Sequence, residues 1–165
     1  MTDQPLDQIA FYIGRAYYTY VGWLENLLAQ RGLDGHLRPG MGPILCALYR
    51  EDNLSIKQIA TQTQLSLSTL TGMLKRMERA GLVKRRRDVR DGRVVRVRLT
   101  RLAESLESEV FQIAKHINEE FVKGLGEKEV AASRRLLVRL IDIMRSQSKA
   151  APYGNHSLLA LGRSP

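Results

Sequence analysis

Residues 55 to 101 read SIKQIATQTQLSLSTLTGMLKRMERAGLVKRRRDVRDGRVVRVRLTR, and the order of patterns in this stretch decides the fold. A short helical pattern comes first, then a second helical pattern with a basic outer face, and then two strand patterns on either side of Asp91-Gly92. Two helices joined by a tight turn form a helix-turn-helix unit, and a hairpin directly after it forms a wing. The stretch therefore predicts a winged helix-turn-helix.

The second helical pattern is predicted to run from Ser66 to about Ala80 and to have two distinct faces. At 100° per residue the face predicted to pack against the protein holds Leu67, Leu70, Met73, Leu74, Met77 and Ala80. The opposite face holds Ser68, Thr69, Thr71, Gly72, Lys75, Arg76 and Arg79. Ser66 is a good N-cap and Gly81 suits the left-handed residue that ends a helix. Ser55 and Gln58 form a capping-box pattern that opens a shorter helix to about Gln62.

Two strand patterns follow the second helix. Leu82 to Arg86 can extend as one strand, and in the other Val95, Val97 and Leu99 alternate with arginines, as is typical of a half-buried strand. Asp91-Gly92 between them favours a type I′ hairpin turn, because both central positions of that turn need a positive φ. We therefore expect a tight hairpin with Arg90 and Arg93 at its tip.

The positive charge of the chain is concentrated in one segment. Residues 66 to 101 hold twelve Lys or Arg and three acids, a net +9, which equals the formal net charge of the whole chain. A solvated face is the ordinary explanation of a charge run, but such faces usually mix signs. A surface that binds a polyanion is the better interpretation, and a duplex is the polyanion that suits a helix-turn-helix.

These residues resemble the MarR family of bacterial transcriptional regulators. SLSTLTGMLKRMERAGLV is similar to the recognition helix of that family, and DVRDGR followed by VRVRLT is similar to its wing. Thr63 and Gln64 stand where the family more often has Leu and Gly, so we expect Gln64 to adopt a left-handed conformation. Ala103 replaces a Gly that usually follows Leu-Thr. The resemblance implies a mainly α fold, with a small antiparallel β wing and a helical dimerisation region that forms a homodimer.

The predicted DNA contacts lie on the second helix and the wing. The outer residues of the helix would enter the major groove of double-stranded DNA, and the tip arginines would reach a minor groove, while Asp88 would brace neighbouring arginines. The two-fold dimer should bind a pseudo-palindrome. The predicted DNA-binding set is Ser66, Ser68, Thr69, Thr71, Gly72, Lys75, Arg76, Arg79, Arg87, Arg90 and Arg93.

The flanking segments are predicted to be helical and to mediate dimerisation. One helix should run from Leu6 to about Arg31, and it carries six of the ten aromatics, which could form a local core, a subunit interface or a ligand wall. Thr100 should cap another helix to about Lys123, which Gly124 and Gly126 end. A last helix should span 127–146. We predict an N-terminal dimerisation helix (1–36), the winged unit (37–100), C-terminal dimerisation helices (101–146) and a flexible tail (147–165) whose SLLAL run could dock on the body or a partner.

Composition excludes several classes of protein. With 44% hydrophobic and 26% charged residues the chain is ordinary for a globular protein, and it has neither a long apolar run nor a signal-peptide pattern, so a cytoplasmic protein with no membrane partner is expected. Cys46 is alone and lies in an apolar run, which favours a buried thiol over a redox sensor. His36, His116 and His156 lack metal-ligand spacing, and no catalytic constellation is present, so neither a cofactor nor an enzyme is predicted.

The resemblance also implies regulation by a small molecule. Many relatives are repressors that small aromatic or phenolic effectors release from DNA. Position and chemistry make Arg15, Tyr17, Trp23, His36, Arg38 and Met41 the candidates for an effector pocket, with simple core or surface residues as the alternative for all six. Two other classes of function stay open at this point. One is a non-specific nucleic-acid organiser, and the other is an enzyme or protein-interaction module built on a winged helix.

Overall fold

The computed structural model describes the backbone of residues 8 to 150 and the side chains of residues 8 to 147. The fold is mainly α with a small three-stranded antiparallel sheet, as predicted. The elements in chain order are α1 (Ile9–Gln30), α2 (Gly42–Arg50), β1 (Leu54–Ser55), α3 (Ile56–Thr63), α4 (Leu67–Arg79), β2 (Val83–Arg87), β3 (Val95–Leu99), α5 (Arg101–Ser105) and α6 (Glu107–Ala150). The chain divides between Ala114 and Lys115 into two compact units.

Local hydrogen bonds start and end the helices of the helix-turn-helix. The Ser55 hydroxyl accepts from the Gln58 N–H while the Gln58 side chain accepts from the Ser55 N–H, so the predicted capping box is confirmed. Ser66 caps α4 by accepting from the Thr69 N–H at 3.2 Å. Gln64 lies in the left-handed region at φ 56° and Gly81 at φ 72°, both as predicted.

The sheet holds one strand more than predicted, and its hairpin is wider. β3 lies in the middle, paired with β2 from Val83↔Leu99 to Arg87↔Val95 and with the two-residue β1 through Leu54↔Val97. The predicted type I′ turn is wrong, because neither Asp91 nor Gly92 has a positive φ. Residues 88–94 instead form a longer loop, which we call the wing loop, closed by a 2.8 Å bond from the Asp88 N–H to the Val94 carbonyl.

The core of the first unit surrounds the inner face of α4. Its fully buried side chains come from α2, α3, α4, the sheet and the turn before β2, and they include Ile44, Leu45, Leu48, Leu54, Ile59, Leu70, Leu74, Met77, Leu82, Val83 and Val97. The Tyr49 hydroxyl donates to the Ala103 carbonyl at 2.7 Å and ties α2 to α5. Leu67 was predicted to face this core, but the residue is 59% exposed. Leu67 is the first residue of α4 and lies one turn before Leu70, where burial begins.

The C-terminal helices are interrupted twice. Thr100 caps α5 by accepting from the Ala103 N–H, as predicted, but α5 ends at Ser105 and a new helix begins at Glu107, so a continuous helix from Thr100 to Lys123 is wrong. Gly126 has φ 78° and ψ 159°, which breaks α6 near the predicted place. α6 then continues to Ala150, beyond the predicted end at residue 146.

Some predictions fall outside the residues that the structure describes. These are the start of the first helix at Leu6, the prediction that His156 is not a metal ligand, and the tail from residue 151 onward with its SLLAL run. Within residues 8 to 150, no helix is both long enough and apolar enough to cross a membrane.

Candidate nucleic-acid interface

The outer face of α4 presents the polar and basic residues that the sequence pattern placed there. Ser66, Ser68, Thr69, Lys75, Arg76 and Arg79 are exposed, while Thr71 and Gly72 are half-buried. The opposite face is fixed by Leu70, Leu74 and Met77, which are completely buried. Because this inner face is held on three successive turns, the outer face is presented as a rigid surface.

The first turn of α4 is rich in hydroxyl groups that bond within the helix. The Ser66 hydroxyl bonds the Ser68 hydroxyl at 3.0 Å and the Thr69 hydroxyl at 2.8 Å. The Thr71 hydroxyl donates to the Leu67 carbonyl at 2.7 Å. A hydroxyl has one hydrogen to donate and two lone pairs, so these groups keep acceptor capacity but use most of their donors locally.

Three of the twelve cations of residues 66 to 101 are paired with acids and build the wing. Arg85 on β2 donates to the Glu78 carboxylate at the end of α4, with 2.5 Å between its Nη2 and Oε2. Arg96 donates to Asp88, and Arg98 approaches Asp52 at 3.4 Å between Nε and Oδ2. The first pair joins α4 to β2, and the other two hold β3. Sequence reasoning missed the roles of Glu78 and Asp52, since each partner lies at least seven residues away.

Asp88 organises the wing loop. Its carboxylate accepts from the backbone N–H of Arg90 at 2.7 Å, from that of Asp91 at 3.1 Å, and from the Arg96 guanidinium. These bonds, the one from Arg96 foremost, lower the pKa of Asp88 to about 2. The side chain is only 13% exposed. Asp88 therefore braces the arginines of the wing, as predicted, and stays ionised at neutral pH.

The remaining nine cations of this segment are exposed, and no carboxylate of the described residues forms an ion pair with them. Two groups can be distinguished by position, one on α4 and one on the sheet, the wing loop and the start of α5. The nine are Lys75, Arg76, Arg79, Lys84, Arg86, Arg87, Arg90, Arg93 and Arg101. Unpaired cations at this density are the feature that a polyanion would neutralise.

The residues predicted to line an effector pocket differ in how far they are buried. Met41 is buried and Trp23 half-buried, while Arg15, Tyr17, His36 and Arg38 are exposed. A cavity of about 240 Å³ lies near the end of α1, and Arg38 is the one member of the predicted set that borders it. Its lining is Glu25, Asn26, Leu28, Ala29, Asp34 and Arg38. The polar residues of α1 at this cavity, Glu25 and Asn26, were not predicted as site residues, because polar residues on a helix usually face solvent.

Neither a reactive thiol nor a metal site is found in the part of the chain that the structure describes. Cys46 is half-buried, and burial raises its pKa despite the opposing charge of Arg50. A sensor thiol needs a lowered pKa, and the burial of Cys46 shifts its pKa in the opposite direction. Residues 8 to 147 contain no cluster of His, Cys, Asp or Glu that could hold a metal ion.

Comparison with known proteins gives concordant matches. A family model described as MarR family matches residues 42–95. The chain is similar to the HTH-type transcriptional repressor IacR of Pseudomonas putida, with 28% identity over 127 residues, 77% of this chain and 74% of that protein. It is also similar to the HTH-type transcriptional regulator MgrA of Staphylococcus aureus, with 31% identity over 98 residues, 59% of this chain. It spans 65% of MgrA, just under two thirds of that protein's length.

A solved structure extends the similarity to most of the chain. This is Bordetella bronchiseptica BpsR, described in a study of how 6-hydroxynicotinic acid regulates its DNA binding. It is 25% identical, with a TM-score of 0.73 over 86% of this chain and 99% of that chain. The family and these relatives are transcriptional regulators rather than enzymes.

Proposed function

Because the chain belongs to the MarR family of DNA-binding transcriptional regulators, we propose that it is a repressor that binds a pseudo-palindromic operator as a homodimer. The observation that carries this proposal is the set of nine exposed, unpaired cations on α4 and around the wing. A regulator of this kind acts where the DNA is, so we place it in the cytoplasm.

In the proposed complex, α4 lies in the major groove and the wing loop follows the backbone into a minor groove. Ser68, Thr69, Thr71 and Gly72 enter the groove first, and Lys75, Arg76 and Arg79 contact base edges or phosphates. The guanidinium groups of Arg90 and Arg93 suit a narrow A·T-rich minor groove, where the negative potential is strongest. Ser66 and Arg87 border the two contact regions and complete the proposed site.

Exposed apolar side chains on the flanking helices support the homodimer. On α1 the exposed set is Ile9, Phe11, Tyr12, Tyr17, Tyr18 and Tyr20. On α6 it includes Phe121, Leu125, Leu136, Leu137, Val138, Ile141, Ile143 and Met144. A monomeric protein rarely leaves so many large apolar side chains in water, and association with a second copy would cover them. We keep residues 1–36 and 101–146 as the proposed dimerisation region and 37–100 as the proposed DNA-binding domain.

We also propose that a small aromatic acid or phenol releases this protein from its operator. The support is similarity to BpsR, whose DNA binding is regulated by 6-hydroxynicotinic acid. In this chain Arg38 offers a cation for a carboxylate or phenolate, and it borders the 240 Å³ cavity near the end of α1. The other five candidates, Arg15, Tyr17, Trp23, His36 and Met41, stay in the proposal as residues to be tested by substitution.

Selection of bound sequences from a random DNA pool tests the proposed function. An inverted repeat with half-sites about one helical turn apart is the expected result, because a two-fold dimer sets its recognition helices at that spacing. The recovered operator is then compared with a random duplex of the same length at one stated salt concentration. Equal affinity for the two duplexes would replace the proposal with a non-specific nucleic-acid organiser.

A further inference from the structure

Leu67 is the one residue of α4 whose observed environment contradicts the helical pattern outright. The pattern places it on the packing face, yet the residue is 59% exposed, whereas Leu70 and Leu74 are completely buried. An isolated exposed leucine is ordinary on a protein surface. This one is the first residue of the recognition helix, and the N-terminal residues of such a helix are those that contact base edges.

Leu67 is also the first of a row of residues that are proposed to face the DNA. Thr71 and Lys75 follow it at intervals of four residues, and residues four apart lie on the same side of a helix. The Thr71 hydroxyl donates to the Leu67 carbonyl at 2.7 Å, so the helix itself uses the hydrogen of that hydroxyl. The row therefore begins with an apolar side chain, continues with a threonine whose donor is occupied, and ends with a cation.

The chemistry of the major groove provides one apolar feature for such a side chain. Each A·T pair presents the C5-methyl group of thymine there, whereas the other base edges present hydrogen-bond donors and acceptors. The Ser66 hydroxyl bonds those of Ser68 and Thr69, so these three neighbouring hydroxyls offer few free donors. We propose that Leu67 is a specificity-determining residue that packs on a thymine C5-methyl group in each operator half-site. This inference rests on the proposed operator binding and adds the base that this turn selects.

Replacement of thymine by deoxyuridine tests the proposal, because it removes only the methyl group. Each thymine of the selected half-site is replaced in turn in a duplex, and binding is measured at constant salt. At one position this replacement should weaken binding about fourfold per half-site, the effect expected for the loss of one methyl-sized apolar contact. With Leu67→Ala the thymine and uracil duplexes should bind equally well, and the salt dependence should be unchanged, since no charge is removed.

Val89→Ala is the matched control, because Val89 is a fully exposed apolar residue of the wing loop. This variant should keep the wild-type preference for thymine over deoxyuridine at the sensitive position. Thermal unfolding of Leu67→Ala should match that of the wild type, since the side chain is largely in solvent. If the wild type binds equally well with deoxyuridine at every position, the Leu67 inference is wrong but the operator proposal stands. The same holds if Leu67→Ala keeps the preference for thymine. A pool without any consensus overturns the operator proposal and this inference together.

Discussion

The division of the basic segment into paired and unpaired cations makes a quantitative prediction about salt. Arg90 and Arg93 lie in the wing loop, and no carboxylate of the described residues forms an ion pair with their guanidinium groups, whereas Arg85 and Arg98 are paired with Glu78 and Asp52. Removing two positive charges from the first group should weaken DNA binding strongly. Removing two from the second group should mainly lower stability.

The magnitude follows from counterion release. Each phosphate contact adds about 0.9 to the slope of log affinity against log salt, so Arg90→Ala with Arg93→Ala should lower the slope by about 1.8 per protomer if both contact phosphates. The control is Arg85→Gln with Arg98→Gln, which changes the net charge equally. Because those pairs are partly exposed, each should cost about 0.5–1 kcal/mol of unfolding free energy and leave the slope near the wild-type value.

Fluorescence anisotropy with a labelled operator, repeated from about 50 to 200 mM salt, measures the two slopes over a range where several contacts change affinity strongly. Denaturant unfolding of both double variants measures their stability. Equal loss of slope in the two double variants would show that net charge alone, and not the pairing seen in the structure, governs DNA binding. An unchanged slope in the wing variant would remove the wing loop from the interface.

Further predictions concern the helix, the assembly, the wing and the core. Arg76→Ala or Lys75→Ala should blur the consensus recovered from a random pool, since a lost base contact costs about 1–3 kcal/mol, while the wing double variant should keep it readable. Light scattering should give about twice the chain mass of 18.7 kDa, and a mass near 18.7 kDa at micromolar concentration would contradict the homodimer. The pKa of Asp88 is lowered from 3.8 to about 2 in the folded state, so its contribution to stability is complete above pH 3.8 and is lost as the pH falls towards 2. NMR of the backbone amides in the wing loop should detect this transition. The Asp88→Asn variant should not show it. Tyr49→Phe should lower the unfolding free energy by about 1 kcal/mol, measured in urea, because the 2.7 Å bond to the Ala103 carbonyl is lost; no change in stability would mean that water satisfies both groups.

Features with local causes could be predicted from the sequence. The capping boundaries at Ser55 and Ser66, the left-handed residues Gln64 and Gly81, and the break at Gly126 each depend on a few neighbouring residues. The basic outer face of α4 follows from helical periodicity alone. The concentration of charge in residues 66 to 101 is likewise a property of the chain, so the sequence by itself was enough to infer DNA binding.

Features that depend on distant partners were decided by the tertiary structure. Arg98 pairs with a carboxylate 46 residues away, and Arg85 with one seven residues away, so sequence patterns could not tell these cations from the nine that remain free. The wing loop departs from a tight turn because the Asp88 carboxylate accepts hydrogen bonds from two backbone N–H groups and from the Arg96 guanidinium on the neighbouring strand. The exposure of Leu67 depends on where the core ends. Helical periodicity predicts the direction of a side chain, but it cannot predict whether another part of the protein packs against that side chain.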